Sequence, residues 1–377
     1  MSEKLKQYRD ELDDIDSKIV SLFEERMRIS EEVAKDKIQS GKRVLDKKRE
    51  QEKLTALSSM TDSEFNRRGV IELYEQIMAI SRKRQYQLMD EAGELHGQSF
   101  IPVDTLMDSK TRVAYQGAPG AYSEIAMKKF FGEDIDCIRV ETFRDAMSSI
   151  EEGACDYAVL PIENSTAGIV SQIYDLLFEF ENYIVGEEII PIRHCLMGVP
   201  GATEDTIQVV YAHPQSLMQS EKYLSSHPSW EQVGMQNNAY AAQKVAQDSD
   251  IKKGAIASKG AAEKYGLQII REGINDTDTN STRFIIVTSR KIFLRAAKKI
   301  SIVIEVEHES GALYRALSHF IYNDLNMTKI ESRPIRDRSF EYRFFIDFDG
   351  NFQDSSVRNA LRGLRDETKS LKVLGNY

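Results

Sequence analysis

Arg26 interrupts an otherwise apolar helical seam, Leu5, Tyr8, Leu12, Ile15, Ile19, Leu22, Ile29 and Val33, whose members are spaced in alternating threes and fours. A guanidinium on a packing face is costly to bury unless an anion meets it. Lys37 lies three helical turns further on and on nearly the same face, whereas Arg9, 17 residues back, is roughly 100° round the helix. A later helical row, Tyr74, Ile77, Ser81, Gln85 and Leu88, has two polar members one turn apart, and Asp46, Arg49 and Glu50 crowd the start of a short helix in between. Singly, each of these reads as an ion pair or a register-fixing polar residue. Together, several cations, a carboxylate and two neutral hydrogen-bonding side chains facing one helical interior make a cage for a small dianion that carries a hydroxyl.

A second kind of chemistry is expected where strands end. Tyr115 is followed by Gly117-Ala118-Pro119-Gly120-Ala121-Tyr122-Ser123, and Leu160 by Pro161-Ile162-Glu163-Asn164-Ser165-Thr166. Tyr211 leads into Ala212-His213-Pro214-Gln215-Ser216, and Ala257 into Ser258-Lys259-Gly260. Each reads as a strand, a polar or Gly-rich turn and a helix N-terminus, which would present backbone N–H groups to an anion. Ordinary connections use the same capping residues, but four such ends point to a ligand cleft between two lobes.

The elements that must carry these residues change character along the chain. Residues 1–90 contain no proline, the first being Pro102, and only Gly41 and Gly69 of the 21 glycines, which argues for helices. Three are expected, about Lys4–Gln39, Lys47–Ser59 and Asp62–Gln87, the last with its N-cap within Thr61-Asp62-Ser63-Glu64. So thin a hairpin has no core of its own, which predicts a helical homodimer, and Arg9, turned away from the Arg26 and Lys37 face, favours a site shared between subunits. Residues 91–110 read as a linker. From Arg112 short β-rich runs (Val113–Tyr115, Tyr157–Leu160, Ile184–Val185, Gln208–Tyr211, Ala255–Ala257, Arg283–Thr288) alternate with helical stretches, predicting α/β layers with mostly parallel strands. The last 80 or so residues follow a βαββαβ order, which predicts a ferredoxin-like sandwich. The expected chain is therefore multidomain: an all-α three-helix domain over 1–90, an α/β two-lobed domain over 111–290 and an α+β ferredoxin-like domain over 298–377.

Bulk composition limits what such a chain can do. At 377 residues, 41% apolar and 29% charged, it is globular, and its formal charge of -10 makes a nucleic-acid partner unexpected. Residues 1–90 hold 19 Lys and Arg against 19 Asp and Glu, so the net charge falls wholly on the remaining residues, with 31 against 41. No apolar run is long enough for a membrane span and the charged amino terminus has no signal-peptide core, so a cytoplasmic protein is expected. Cys137, Cys155 and Cys195 have no metal-type spacing and read as reduced thiols, with neither metal nor cofactor implied.

Residues 1–90, through Arg9, Arg26, Lys37, Asp46, Arg49, Glu50, Ser81 and Gln85, resemble the all-helical chorismate mutases position for position. The resemblance implies the rearrangement of chorismate to prephenate, which needs no nucleophile and no cofactor, only a site that folds the substrate and stabilises charge. It also implies roles. Arg26 and Arg9 of the partner subunit would hold the two carboxylates, Lys37 and Gln85 would donate to the ether oxygen, and Glu50 would accept from the hydroxyl. Asp46, Arg49 and Ser81 would complete the shell.

Over 111–290, Gly117 to Ser123, the Pro-Ile-Glu-Asn-Ser run at 161–165 and Thr282-Arg283-Phe284 resemble the prephenate dehydratase signature, so the whole chain resembles the family in which the two enzymes are fused. The implied second reaction removes CO2 and water from prephenate to give phenylpyruvate. Expulsion of hydroxide needs an acid or strong hydrogen-bond donor. The resemblance points to Thr282, supported by Glu163, Asn164 and Gln219, with Ser165 among the substrate-binding residues, while chemistry alone would choose a buried Glu163 with a raised pKa. Arg283 suits a carboxylate. His213 reads equally as a proton-transfer group or as a turn histidine, and Ala212 stands where several relatives carry serine, a hydroxyl that Ser216 could replace.

Residues 298–377, through Gly311-Ala312-Leu313-Tyr314 and Glu331-Ser332-Arg333-Pro334, resemble the ACT regulatory domain of these dehydratases. The resemblance implies an L-phenylalanine effector bound between paired subunits, with Gly311 allowing close backbone approach and Glu331 meeting the ammonium. A plain dimerisation module is the bland alternative. A non-catalytic sensor built from a two-lobed binding domain and a helical dimeriser is a rival for the whole chain, against which the acidic balance and the absence of a basic recognition helix weigh.

Overall fold

A computed structural model describes residues 3–92, 100–336 and 338–377. By its contacts the chain divides into two compact units, 1–99 with 304–371, and 100–303 with 372–377. Part of the expected linker, 93–99, lies outside the described residues.

The amino-terminal segment is three helices, α1 (Glu3–Ser40), α2 (Lys47–Ser58) and α3 (Glu64–Glu91). Asp46 caps α2 by accepting from Arg49 N at 3.0 Å, and Ser63 caps α3 by accepting from Asn66 N at 3.1 Å, so within the expected capping run the serine wins. Most of the α1 seam is solvent-exposed, Leu12, Ile15, Ile19 and Leu22 each by more than half. In α3, by contrast, Met78, Ala79, Ser81, Arg82, Gln85, Tyr86 and Met89 are all buried, more than one helix face can supply.

The middle of the chain opens with β1 (Ile101–Val103), inside the expected linker, and β2 (Arg112–Gln116), α4 (Tyr122–Phe131), β3 (Asp136–Val140) and α5 (Phe143–Glu151). Next come β4 (Tyr157–Asn164), β5 (Gly168–Ile169), α6 (Ser171–Glu179), β6 (Tyr183–Pro191) and β7 (Cys195–Gly198). Then follow β8 (Val209–Ala212), α7 (Pro214–Met218), α8 (Glu221–Ser225), β9 (Glu231–Gly234), α9 (Asn238–Asp248), β10 (Lys253–Ala257) and α10 (Lys259–Tyr265). β11 (Gln268–Glu272), β12 (Ser281–Thr288) and β13 (Ile292–Leu294) close this region. One lobe is built on adjacent strands β3-β2-β4-β12-β6 and the other on β11-β7-β10-β8-β9. The strands are mixed where mostly parallel ones were expected. β12 returns antiparallel between β4 and β6, and β7 runs antiparallel to β10 and β11.

The tight contact between the lobes is made by glycine. Gly120, at φ +87°, has room for no side chain, since a Cβ there would lie 2.7 Å from Ala261 Cα, and its carbonyl accepts from Ser258 Oγ at 2.7 Å.

The carboxyl-terminal run is β14 (Lys299–Glu305), α11 (Ala312–Tyr322), β15 (Met327–Pro334), β16 (Tyr342–Asp349), α12 (Ser355–Glu367) and β17 (Ser370–Asn376), the βαββαβ order read from the sequence. The buried second face of α3 is explained here, because α12 packs along it. Tyr86 Oη donates to Asp366 Oδ2 at 2.5 Å, Arg358 grips both oxygens of Asp90 at 2.9 and 2.7 Å, and Gln76 Nε2 donates to Tyr314 Oη at 2.8 Å. Among the described residues no helix is long and apolar enough to cross a membrane, and no cluster of three or more His, Cys, Asp or Glu side chains is placed to hold a metal.

Candidate active sites

Seven of the eight cage residues, Arg26, Lys37, Asp46, Arg49, Glu50, Ser81 and Gln85, line one cavity of about 500 Å³ between α1, α2 and α3. Arg26 Nη1 donates to Ser81 Oγ at 2.6 Å. Lys37 Nζ donates to the Val44 carbonyl at 2.7 Å and to Gln85 Oε1 at 3.2 Å, and Gln85 Nε2 donates to Ser30 Oγ at 3.2 Å. An ammonium has three N–H groups, so Lys37 keeps one for a ligand. Burial pulls both cations below their ordinary pKa, opposed by Tyr74 and Glu50 at Arg26 and by Asp46 and Glu50 at Lys37. Cations held this far from water attract an anion through a lower dielectric than the surface would offer.

Arg9 does not line this cavity. It lies 17 residues before Arg26, about 25 Å along α1 at the rise of a helix. One residue that lines the cavity was missed by sequence reasoning: Arg82, whose Nη1 donates to Glu50 Oε1 at 2.6 Å and to Oε2 at 2.5 Å. The available signal was an arginine on the apolar stripe Met78, Tyr86, Met89, one helical position away from the row that was followed.

The cleft between the two lobes of the α/β region encloses about 280 Å³ and is lined by neutral side chains, among them Asn164, His194, Ser216, Gln219, Asn237 and Thr282. Thr282, 8% exposed, stands on β12 opposite Asn164 of β4. Asn164 Nδ2 donates to Thr282 Oγ1 at 2.9 Å, which leaves the threonine hydrogen available to something in the cleft. Asn164 Oδ1 accepts from Thr166 N and Ala167 N at 3.1 and 2.9 Å. Gln219 Nε2 donates to Thr166 Oγ1 at 2.7 Å, while its Oε1 accepts from Asn280 Nδ2 at 3.0 Å and lies 3.1 Å from His194 Nε2. A carbonyl oxygen can only accept, so His194 carries its proton on Nε2 and is left with a buried, unpartnered Nδ1. Burial holds the His194 pKa below its ordinary value, against the bond to Gln219.

Several expected site residues fall elsewhere. Neighbours on a strand point to opposite faces, so Arg283, next to Thr282, turns away from the cleft, and its register partner Glu163 turns with it. There Arg283 pairs with Glu163 at 3.2 Å and with Glu187 at 3.3 Å, and Lys299 Nζ reaches Glu187 at 2.5 Å. Arg283 is thus an ion-paired residue behind the sheet. Ser165 is exposed and accepts from Ser281 N at 3.0 Å. The expected turn after Leu160 is strand through Asn164, so of the four supposed helix entries this one is a loop into β5. His213 caps α7, its Nδ1 accepting from Gln215 N at 3.2 Å, which favours the turn reading; Ser216 lines the cleft and accepts from Asn238 Nδ2 at 2.7 Å.

In the carboxyl-terminal run, Gly311 holds φ +78° at the N-cap of α11. Ala312 and Leu313 line a cavity of about 340 Å³ with Phe340, Tyr342 and Phe344. Glu331, Ser332 and Arg333 lie on β15 and do not line that cavity.

Comparison with known proteins agrees with this division. Residues 8–86 match the family model for chorismate mutase type II and residues 113–292 that for prephenate dehydratase. A bifunctional chorismate mutase/prephenate dehydratase of Aquifex aeolicus is 30% identical over 377 residues, covering 100% of this chain and 98% of that one. An arogenate dehydratase/prephenate dehydratase of Arabidopsis thaliana is 38% identical over 286 residues, 72% of each chain. Among solved structures, a prephenate dehydratase from Arthrobacter aurescens in complex with L-Phe superposes with a TM-score of 0.66 at 29% identity, covering 71% of this chain and 89% of that one.

Proposed function

The chain belongs to the family of bifunctional chorismate mutases/prephenate dehydratases, and from that membership we propose which of its residues perform the two reactions and how the product of the pathway acts on them. Its amino-terminal helices rearrange chorismate and its α/β region is the prephenate dehydratase, two consecutive steps of aromatic amino acid biosynthesis. We assign domains over 1–90, 111–290 and 298–377, with 91–110 as the linker.

In the mutase, Arg26 binds one carboxylate and Arg9 of the partner subunit the other, and the third N–H of Lys37 meets the ether oxygen as charge develops there. Gln85, held by Ser30 and Lys37, donates to the same oxygen. Glu50 accepts from the substrate hydroxyl, Ser81 steadies Arg26, Asp46 fixes the start of α2 and Arg49 borders the entrance. What supports this reading is the convergence of these side chains on one cavity. Stabilising the developing charge with preplaced donors is the whole of the catalysis required, since the reaction is unimolecular.

In the dehydratase, the Thr282 hydroxyl donates to the departing ring hydroxyl. Asn164, by occupying the threonine lone pair, aims that hydrogen into the cleft. Gln219, itself held by His194, donates to Asn164 Oδ1. The substrate carboxylates meet the backbone N–H groups of Tyr122 and Ser123, where α4 opens on the cleft without a side-chain cap. Loss of CO2 supplies the electron pair that expels the ring hydroxyl as hydroxide, stabilised by the Thr282 hydrogen bond and protonated by solvent to water, and the ring becomes aromatic.

L-Phenylalanine inhibits through the βαββαβ run, read as an ACT domain in which Gly311, Ala312 and Leu313 approach the amino acid and Glu331, Ser332 and Arg333 face it from a paired subunit. The L-Phe bound in the Arthrobacter aurescens dehydratase supports this, as does the positive φ at Gly311. The test uses two assays on one preparation. Arg26→Ala or Gln85→Ala should abolish consumption of chorismate while supplied prephenate still yields phenylpyruvate, and millimolar phenylalanine should suppress that second activity. Joint loss in a folded variant refutes separate sites, and indifference to phenylalanine refutes the effector assignment.

A further inference from the structure

The sequence-derived cage holds a carboxylate, Glu50, amid the cations that must receive a dianion, and such a group is a liability unless it is restrained. Glu50 stands near enough to Arg26 and Lys37 to act electrostatically on both. Its side chain has three rotatable bonds, so an unrestrained Glu50 would swing onto Arg26 or Lys37 and compete with the substrate for them. Arg82 prevents this. Its guanidinium leaves the adjoining α3 face and takes both oxygens of Glu50, and the pair is largely removed from water, with 11% of the Arg82 side chain and 25% of the Glu50 side chain exposed. Both residues line the cage. A carboxylate has about four lone-pair directions, so a grip that uses two still leaves Glu50 free to accept from a ligand hydroxyl.

We propose that Arg82 is a positioning residue of the mutase, which fixes Glu50 in its hydroxyl-accepting orientation and keeps it off the two cations that bind substrate. This rests on the assignment of Glu50 to the cage. Arg82 gives its Nη1 to both oxygens of Glu50, so its effect on the substrate runs through that carboxylate. On the side away from the cage it borders a second cavity, with Tyr314, Arg315 and Tyr322 of α11, so it closes the wall between the two.

The role has a signature in the split between KM and kcat. Arg82→Met should raise the KM for chorismate at least tenfold, because the released Glu50 occupies Arg26 and Lys37, and should lower kcat as well. In a Glu50→Gln background the charge that Arg82 restrains is gone, and Asp46 is held by its cap on α2, so adding Arg82→Met should leave KM within about twofold of Glu50→Gln alone. A merely structural role would cost the same in both backgrounds, and that additive result overturns the proposal. Should Glu50→Gln by itself leave the mutase unimpaired, it is the placing of Glu50 in the cage that fails, and the proposal falls with it. Dehydratase turnover of supplied prephenate reports on folding in every preparation. If Arg82→Met does not fold, Arg82→Gln, which keeps a donor but no charge, is measured in the same two backgrounds with the same criterion.

Discussion

Adjacent residues Thr282 and Arg283 were read from one motif, yet strand alternation sends them to opposite faces of the sheet. That parity was available in the sequence, because the run to Thr288 was already identified as a strand; the motif was treated as a point when it is a line with two sides. It also places the two candidate acids differently. Thr282 stands in the cleft with its hydrogen uncommitted, whereas Glu163 is engaged with Arg283 behind the sheet. Thr282→Ala should therefore lower dehydratase kcat roughly a hundredfold or more, with Thr282→Ser retaining most of it, while Glu163→Gln stays within about threefold of the parent. A larger loss in Glu163→Gln than in Thr282→Ala, in steady-state assays on prephenate, would return the acid to Glu163. His194 and Arg82 were missed for a different reason. Each matters only through a partner elsewhere in the sequence, Gln219 in one case and Glu50 in the other, and the arginine on the α3 stripe marks a breach without saying what it meets.

Elements were legible in the sequence, but a second buried face was not. The helices of residues 3–91 and the βαββαβ order emerge from periodicity and capping to within a few residues. The second face of α3 did not, since it is polar: Tyr86 meets Asp366 and Asp90 meets Arg358, contacts that hydrophobic patterning cannot flag. The same layer buries His319 of α11, 7% exposed, with its ring against Gly363, where a Cβ would lie 2.3 Å from Nδ1. Burial, then the charge of Arg82, lowers the His319 pKa to about 4, with Asp366 opposing. The folded chain therefore resists a proton that the unfolded chain accepts at its ordinary value of about 6.5. Stability from this residue is full above about pH 6.5 and declines as pH falls toward 4, by about 1.4 kcal/mol per unit and at most roughly 3 kcal/mol. Thermal midpoints measured from pH 7.5 to 4.5 should fall less steeply in His319→Leu than in the parent. Parallel curves would mean that His319 is protonated when folded.

Taken whole, the chain carries its net charge of -10 entirely outside its first 90 residues, and that neutral segment leaves a long apolar stripe uncovered. Leu5, Tyr8, Leu12, Ile15, Ile19, Leu22, Ile29 and Val33 of α1 are all more than two-fifths exposed. An exposed apolar stripe of that length marks an interaction surface, and a seam with heptad-like spacing is complementary to another copy of itself. Arg9 lies on the same helix, about 25 Å from the Arg26 of its own chain, so one chain cannot bring both to one cavity, whereas two chains crossing along α1 can. If each site takes Arg26 from one subunit and Arg9 from the other, then Arg9→Ala and Arg26→Ala should each be inactive as a mutase. Mixed and allowed to exchange subunits, they form hybrids in which one site carries both lesions and the other carries neither. With half of the dimers hybrid and half of their sites intact, mutase activity should recover to about a quarter of the parent value. A site built within one chain would carry one lesion in every copy, and the mixture would stay inactive.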